Sequence, residues 1–288
     1  MKDVKVFYWL GEPNFGDMLN INICQRLFDV NPIETSPKDC EAAFLGSVLD
    51  DFLYKKVFKF NKDFRNLYKK DPIKIWGSGF ITKRNKFVRR KFGLPETYFR
   101  KFECYAVRGY FSLNRLKAID KKQNFDNVVV GDPGLLAPML LEKMPNKKYK
   151  VGIIPHHLEL KMPVWEHIQN SIPNSTIIRV DGNVEDTIRK IAECEVILSS
   201  AMHGLIVADG FNIPNARIVA SDRLLGGDYK FNDYYSAFGI EHHKKINLNE
   251  QKIDNERINS VISDYAINKE TVDSICKKLI NCFPYNKE

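Results

Sequence analysis

The feature that most constrains this chain is an alternation. Short apolar runs closing on turns of Gly, Ser, Asn or Asp give way to longer amphipathic stretches, from VKVFYWL (Val4 to Leu10) through to ARIVA (Ala216 to Ala220). Apolar runs bounded by turn signals read as strands buried on both faces, and strands separated by helical stretches read as βαβ units of parallel sheet. VKVFYWL with GEPNFGD, then EAAFLGSVL, IKIWGSG, FECYAVRG with helical FSLNRLKAI, and VVVGDPGLL form one series, and a helix is expected from Asp17 to about Phe28. The polar, proline-containing LEKMPNKKYK interrupts it, and the pattern restarts with KVGIIPHH, TIIRVDG, a helix over Glu185 to Cys194, VILSS, a histidine-bearing helix and ARIVA. The expected fold is α/β: two Rossmann-like domains, 1–146 and 147–288, with a cleft between them. A chain of 288 residues is long enough for two such cores.

Composition narrows the partners. The formal charge is +8, and the densest basic block, KRNKFVRRKFG from Lys83 to Gly93, interleaves aromatics. Such a block suits a polyanion or anionic lipid headgroups, or merely keeps a surface soluble. No nucleic-acid signature accompanies it, so no nucleic-acid partner is expected, and peripheral contact with an anionic membrane is. The six cysteines form no CxxC pair, which suits reduced thiols in a cytoplasmic protein. The first apolar run is broken at Gly11 and Glu12, too early for a secretory signal, and no run of about 18 apolar residues could span a membrane.

The candidate chemistry sits where strands end. In SSAMHGLIVADGFNIP, Ser199 to Pro214, His203 lies between a strand and a helix, where ligands collect in open α/β sheets and first-turn amides favour anions. A packed core histidine is the alternative there. NFGD places Asn14, Gly16 and a helix-capping Asp17 after the first strand, as a cradle for an anion or simply a turn. Gly77, Ser78 and Gly79 of WGSGF make a tight turn that admits a close ligand. Arg108 of AVRG can clamp a carboxylate or phosphate, or form an ordinary ion pair. Asp132 of GDPG is a second carboxylate in a turn, and IPHH supplies His156 and His157 without a third residue at metal-ligand spacing, so no metal is expected. The segment DRLLGGDYKFNDYY, Asp222 to Tyr235, reads as a glycine-rich loop whose aromatics suit sugar stacking or a lid.

Taken in order, NFGD, WGSGF, AVRG, GDPGLL, IPHH, SSAMHG and DYY resemble the polysaccharide pyruvyl transferase family, its succinoglycan-type members above all, over roughly Val4 to Tyr235. The resemblance implies a GT-B-like pair of domains, with the acceptor on the first and the donor on the second. It implies transfer of pyruvate from phosphoenolpyruvate, a donor substrate with no further cofactor, onto a sugar of a cell-surface polysaccharide or its lipid-linked precursor, as a ketal. His203 would be the acid and Asp17 or Asp132 the base. Ser199, Ser200, Met202 and Gly204 would line the donor site with His156 and His157. Many members carry an arginine two residues before the motif histidine, and this chain has Ala201, so Arg108, Arg217 or Arg223 must supply that charge. A GT-B glycosyltransferase using a nucleotide sugar and a non-catalytic glycan-binding protein are the alternative readings.

Overall fold

The computed structural model describes residues 1–9, 14–55, 70–83, 90–91, 94–95 and 97–286. Two parallel sheets form the protein. The first contains β1 (Lys2–Val6), β2 (Val30–Glu34), β3 (Ala42–Ala43), β4 (Ile73–Trp76), β5 (Phe102–Val107) and β6 (Val129–Val130), in the spatial order β2-β1-β3-β4-β5-β6. The second contains β7 (Tyr149–Ile154), β8 (Ser175–Ile177), β9 (Cys194–Ser199), β10 (Asn215–Val219) and β11 (Lys245–Asn247), in the order β8-β7-β9-β10-β11. Each sheet begins one strand in from an edge, takes its second strand to that edge and its third to the other side. That reversal leaves a crevice beyond the carboxyl ends of β1 and β3, and a second beyond β7 and β9.

The residues explain the elements. In β9 the run Val196, Ile197, Leu198 and Ser199 is buried throughout, as a strand covered by helices on both faces requires. The first helix, α1 (Phe15–Phe28), buries Phe15, Leu19 and Ile23 at a spacing of one turn, and stops at Asp29, which takes a left-handed backbone with φ 54°. Its cap is Asn14, whose Oδ1 accepts from Gly16 N at 3.1 Å; the expected capping residue, Asp17, lies inside the first turn. Helix α2 (Tyr110–Ile119) follows β5, and α3 (Val164–Ser171) and α4 (Val184–Ala192) belong to the second half. Helix α5 (Met202–Gly210) carries SSAMHG's histidine and is buried nearly all round, pressed between its own sheet and a 3-10 segment, Pro133–Leu140, of the first half.

Two expectations need correction. EAAFLGSVL gives the sheet only Ala42–Ala43, because the chain turns at Gly46 (φ 109°) and closes a 3-10 turn at Leu49–Phe52. DRLLGGDYKFNDYY is a loop only as far as Asp228; Tyr229–Ser236 is helix α6, and Phe231, Tyr234 and Tyr235 are buried in the core instead of facing a sugar. The aromatics that suggested an exposed lid are packing.

The chain then returns. After α7 (Asn255–Ser263), helix α8 (Lys269–Asn281) lies against the first half, where Trp76 Nε1 donates to Leu279 O at 3.0 Å and Phe283 stacks on Phe28 at 3.9 Å. Lys74 and Lys2 cover the Tyr285 ring at 4.4 and 4.9 Å. The last residues therefore close the core of the first sheet. Of the basic block, Arg84 to Phe87, Val88 and Arg89 lie outside the described residues, and Arg90–Lys91 is described only as a short strand paired with Leu94–Pro95. Among the described residues no helix is long and apolar enough to cross a membrane.

Candidate active site

The two crevices meet. Helix α1 starts beside the first and α5 beside the second, and Gly16 lies so close to the histidine ring that a β-carbon there would stand 1.9 Å from His203 Nδ1. Only glycine fits that contact. On the other side of the ring, His203 Nε2 is buried with no hydrogen-bond partner. Burial first, and then the charges of Arg108 and Lys230 with His156 beside them, lower the imidazole's pKa to about 3, which favours the neutral ring. No side chain caps α5, which leaves its first turn open to an anion.

The serines before His203 hold the backbone in place. Ser199 Oγ lies 3.1 Å from Ile154 O and 2.8 Å from Ala201 O, and accepts from Ala201 N at 3.0 Å. Ser200 Oγ accepts from His156 N at 2.8 Å, tying the loop after β7 to the loop after β9. Met202 is buried, and Gly204 packs on Ser199 Oγ. His156 is half-buried with its ring 4.2 Å from that of His157, and burial lowers its pKa to about 3.

The carboxylates have the opposite shift. Asp17 receives Asn14 Nδ2 at 2.8 Å and Trp9 N at 3.4 Å, yet burial raises its pKa to about 7. Asp132 caps the 3-10 segment through Gly134 N at 2.8 Å, its Oδ2 has no partner, and burial again raises its pKa to about 7. Both therefore exchange a proton near neutrality, as an acid or base in a cleft must. In WGSGF, Ser78 Oγ donates to Phe44 O at 2.8 Å, Gly77 (φ 87°) packs against Pro133, and Gly79 lets the Arg108 guanidinium approach its backbone.

The cations divide sharply. Arg108 is fully buried and its fork is occupied: Nε and Nη2 reach Asp233 Oδ2 at 2.9 and 2.8 Å, Nη2 donates to Phe80 O at 2.6 Å, and Nη1 to Ser47 Oγ. Asp233 belongs to α6, and it also accepts from Ser112 N at 2.8 Å and Ser112 Oγ at 2.7 Å, capping α2 from the other half of the molecule. This pair is a clasp between halves. Arg217 is bonded to Asp228 at 2.8 Å and stacks on Phe231 at 3.8 Å, while Arg223 is exposed on the loop before α6. Lys230 is 8% exposed and makes no hydrogen bond or ion pair with the described residues. Burial, then Arg108 and Arg217, lower its pKa to about 8, while Glu159, whose Oε2 also lacks a partner, pulls the other way.

A family model of the polysaccharide pyruvyl transferases matches residues 14–222, a span that includes NFGD, GDPG and SSAMHG. The chain belongs to the polysaccharide pyruvyl transferase family. An uncharacterised protein of Acanthamoeba polyphaga mimivirus is 27% identical over 247 residues, 83% of this chain and 76% of that one. The succinoglycan biosynthesis protein ExoV of Rhizobium meliloti is 30% identical over 110 residues, which is 38% of this chain and 34% of ExoV. Among solved structures, S. aureus MnaA with UDP aligns over 100% of this chain and 99% of its own, at 10% identity and a TM-score of 0.47. The two sheets of this pyruvyl transferase family member are parallel and flanked by helices, an α/β arrangement.

Sequence reasoning passed over Lys230, Asp233 and Glu159. The first two stand three residues apart in KFND, on one helical face, and a charged pair at that spacing among aromatics was the available signal. Glu159 follows IPHH closely, and nothing in its neighbourhood marks it. The cavity of about 540 Å³ lined by Tyr235, His243, Arg257 and Tyr265 also borders the first residues of β10 and β11, the opposite ends of those strands from the crevices.

Proposed function

We propose that this protein transfers pyruvate from phosphoenolpyruvate to a sugar of a cell-surface polysaccharide or its lipid-linked precursor, forming a ketal. The observation that carries the reading is a buried lysine, over the Phe231 ring at 5.5 Å, that makes no ion pair within 4.0 Å with the described residues, together with a histidine whose Nε2 has no partner, where the two crevices meet. A buried cation with an open valence costs free energy unless an anion arrives. A trianionic donor supplies one. Lys230 and the open first turn of α5 receive its carboxylate and phosphate, the part that the missing arginine at Ala201 plays in relatives, with Arg217 and Arg223 nearby on the same half. The second domain (147–288) is thus the donor side, and the first (1–146), with Asp17, is the acceptor side.

The chemistry needs two proton movements. A sugar hydroxyl adds to C2 of the donor as a proton is delivered to the C3 methylene, which becomes the methyl group. Phosphate then leaves with the electron pair of its C2–O bond, and a second hydroxyl of the same sugar closes the ketal. The two hydroxyl protons end on C3 and on phosphate. His203, whose neutral form burial favours, gains proton affinity when donor negative charge arrives beside it, and becomes the acid. Asp17 takes the hydroxyl proton, with Asp132 as the second carboxylate of the cleft.

Incubation with phosphoenolpyruvate and a panel of lipid-linked and synthetic glycosides tests the reading. Phosphate release matched by a product heavier by pyruvic acid less water is expected. Turnover of a nucleotide sugar, with no phosphate released from phosphoenolpyruvate, would replace it with glycosyl transfer. Work at the inner face of a membrane is part of the same proposal, and sedimentation with phosphatidylglycerol vesicles at low and high salt checks it. Weak, salt-released binding is expected, reduced by Lys83, Arg84, Lys86, Arg89, Arg90 and Lys91 to glutamine.

A further inference from the structure

Phe231, Tyr234 and Tyr235, the aromatics that suggested sugar stacking, are all buried, and so are Trp76 (0% exposed) and Trp165 (1%). Trp9 is different. It leaves the carboxyl end of β1 at the first crevice with 58% of its surface exposed, directly after buried Tyr8. Its backbone N–H donates to Asp17 Oδ1 at 3.4 Å, so the residue that carries the exposed indole meets that carboxylate through its main chain. Gly16, the neighbour of Asp17, touches the His203 ring. A large exposed aromatic is informative where a lone exposed leucine is not, because leaving an indole in water forfeits more burial than almost any other side chain can offer.

We propose that Trp9 is the platform on which the acceptor sugar lies, its apolar C–H face against the indole and a hydroxyl directed to Asp17. This rests on the acceptor being a glycan. A hexopyranose pairs one apolar face with a rim of hydroxyls, and an exposed indole on the residue whose main chain meets Asp17 offers an apolar surface and a carboxylate at the same strand end. The donor half holds charge with Lys230 and α5; the acceptor half holds shape with Trp9. Covering one face of the indole is worth roughly a tenfold gain in affinity.

The test uses the protein's own fluorescence. The chain has three tryptophans, and because Trp76 and Trp165 are buried, acrylamide quenching of the emission reads Trp9. Methyl β-D-galactopyranoside, methyl β-D-glucopyranoside, lactose and cellobiose are the probes. At least one should lower the quenching of the wild type, and Trp9→Phe should lose the quenchable emission itself. In turnover, Trp9→Ala should raise the KM for an accepted glycoside about tenfold, leave the KM for phosphoenolpyruvate unchanged, and be largely rescued by Trp9→Phe. Protection by none of the probes, or an unchanged acceptor KM in Trp9→Ala, overturns the platform. Protection without phosphate release from phosphoenolpyruvate would keep it and remove the pyruvyl transfer reading instead.

Discussion

Replacing Asp233 with asparagine keeps the shape of the contact between the two halves and removes its charge. The side chain accepts two bonds from Arg108, at 2.9 and 2.8 Å, and two from Ser112, at 2.8 and 2.7 Å, with Arg108 and Asp233 both at 0% exposure. Summing four bonds would overstate the loss, since the bonds share atoms and an asparagine oxygen still accepts from Ser112 N. The governing quantity is a buried guanidinium left without its counter-charge, which costs about 3–5 kcal/mol. Because the pair joins elements from opposite halves, the loss has a second signature. The halves should begin to unfold separately in urea, so the main transition moves to lower denaturant and its slope falls. Arg108→Met combined with Asp233→Leu removes both charges, and should recover at least about 2 kcal/mol relative to the sum of the single changes. A cost for Asp233→Asn below about 1 kcal/mol, with the two substitutions additive and the slope unchanged, would refute the clasp and return Arg108 to the list of donor-binding cations.

His203→Ala should leave the unfolding midpoint near that of the wild type and lower turnover by about 10²–10⁴, the usual cost of a lost general acid; a large stability loss would make the ring a packing residue. Lys230→Ala should raise the KM for phosphoenolpyruvate while leaving that for the acceptor alone, and in the wild type donor binding should weaken as pH rises past about 8, where the free lysine loses its proton. Isothermal titration across pH reads both. Asp132 has a folded pKa raised from 3.8 to about 7, so its contribution to stability is complete below the unfolded value and is lost as pH rises through 7. Asp132→Asn should therefore be more stable than the wild type at pH 8, by about 1 to 4 kcal/mol, and lose that advantage near pH 4; urea unfolding at the two values checks it.

The alternation of strand and helix was legible because buried parallel strands need unbroken apolar runs, and runs such as VILSS and VGII have no other stable use in a chain of this composition. Legibility failed where burial hid the helical period. In DYKFNDYYS the polar Lys230, Asp233 and Ser236 are buried along with the aromatics, so the polar residues of α6 mark no solvent face, and the glycines before it argued for loop. Asp233 was illegible for another reason: its partner Arg108 lies 125 residues away, and no local pattern announces a cap supplied from another half. In NFGD two residues could have capped α1, and proximity to Trp9 N decided for Asn14 as the cap and Asp17 as the buried carboxylate.

Ala201 is the point at which sequence and structure inform each other most. A family arginine at that place would put its cation at the start of α5, two residues before the histidine, where it would add to the helix's own positive end. Here the start of α5 carries a small buried residue, and on the proposed reading the cation is Lys230 at the start of α6, in the segment that also supplies the Asp233 clasp. The two roles are joined by geometry. Asp233 is three residues beyond Lys230, so the bonds that pin it to Arg108 and Ser112 also fix the first turn of α6 and with it the direction of the lysine. A lysine whose charge must meet a donor needs a rigid mount, because a flexible one would lose rotamer entropy at each binding event. On that proposal the ion pair between the halves is the mount that lets Lys230 serve where an arginine is missing.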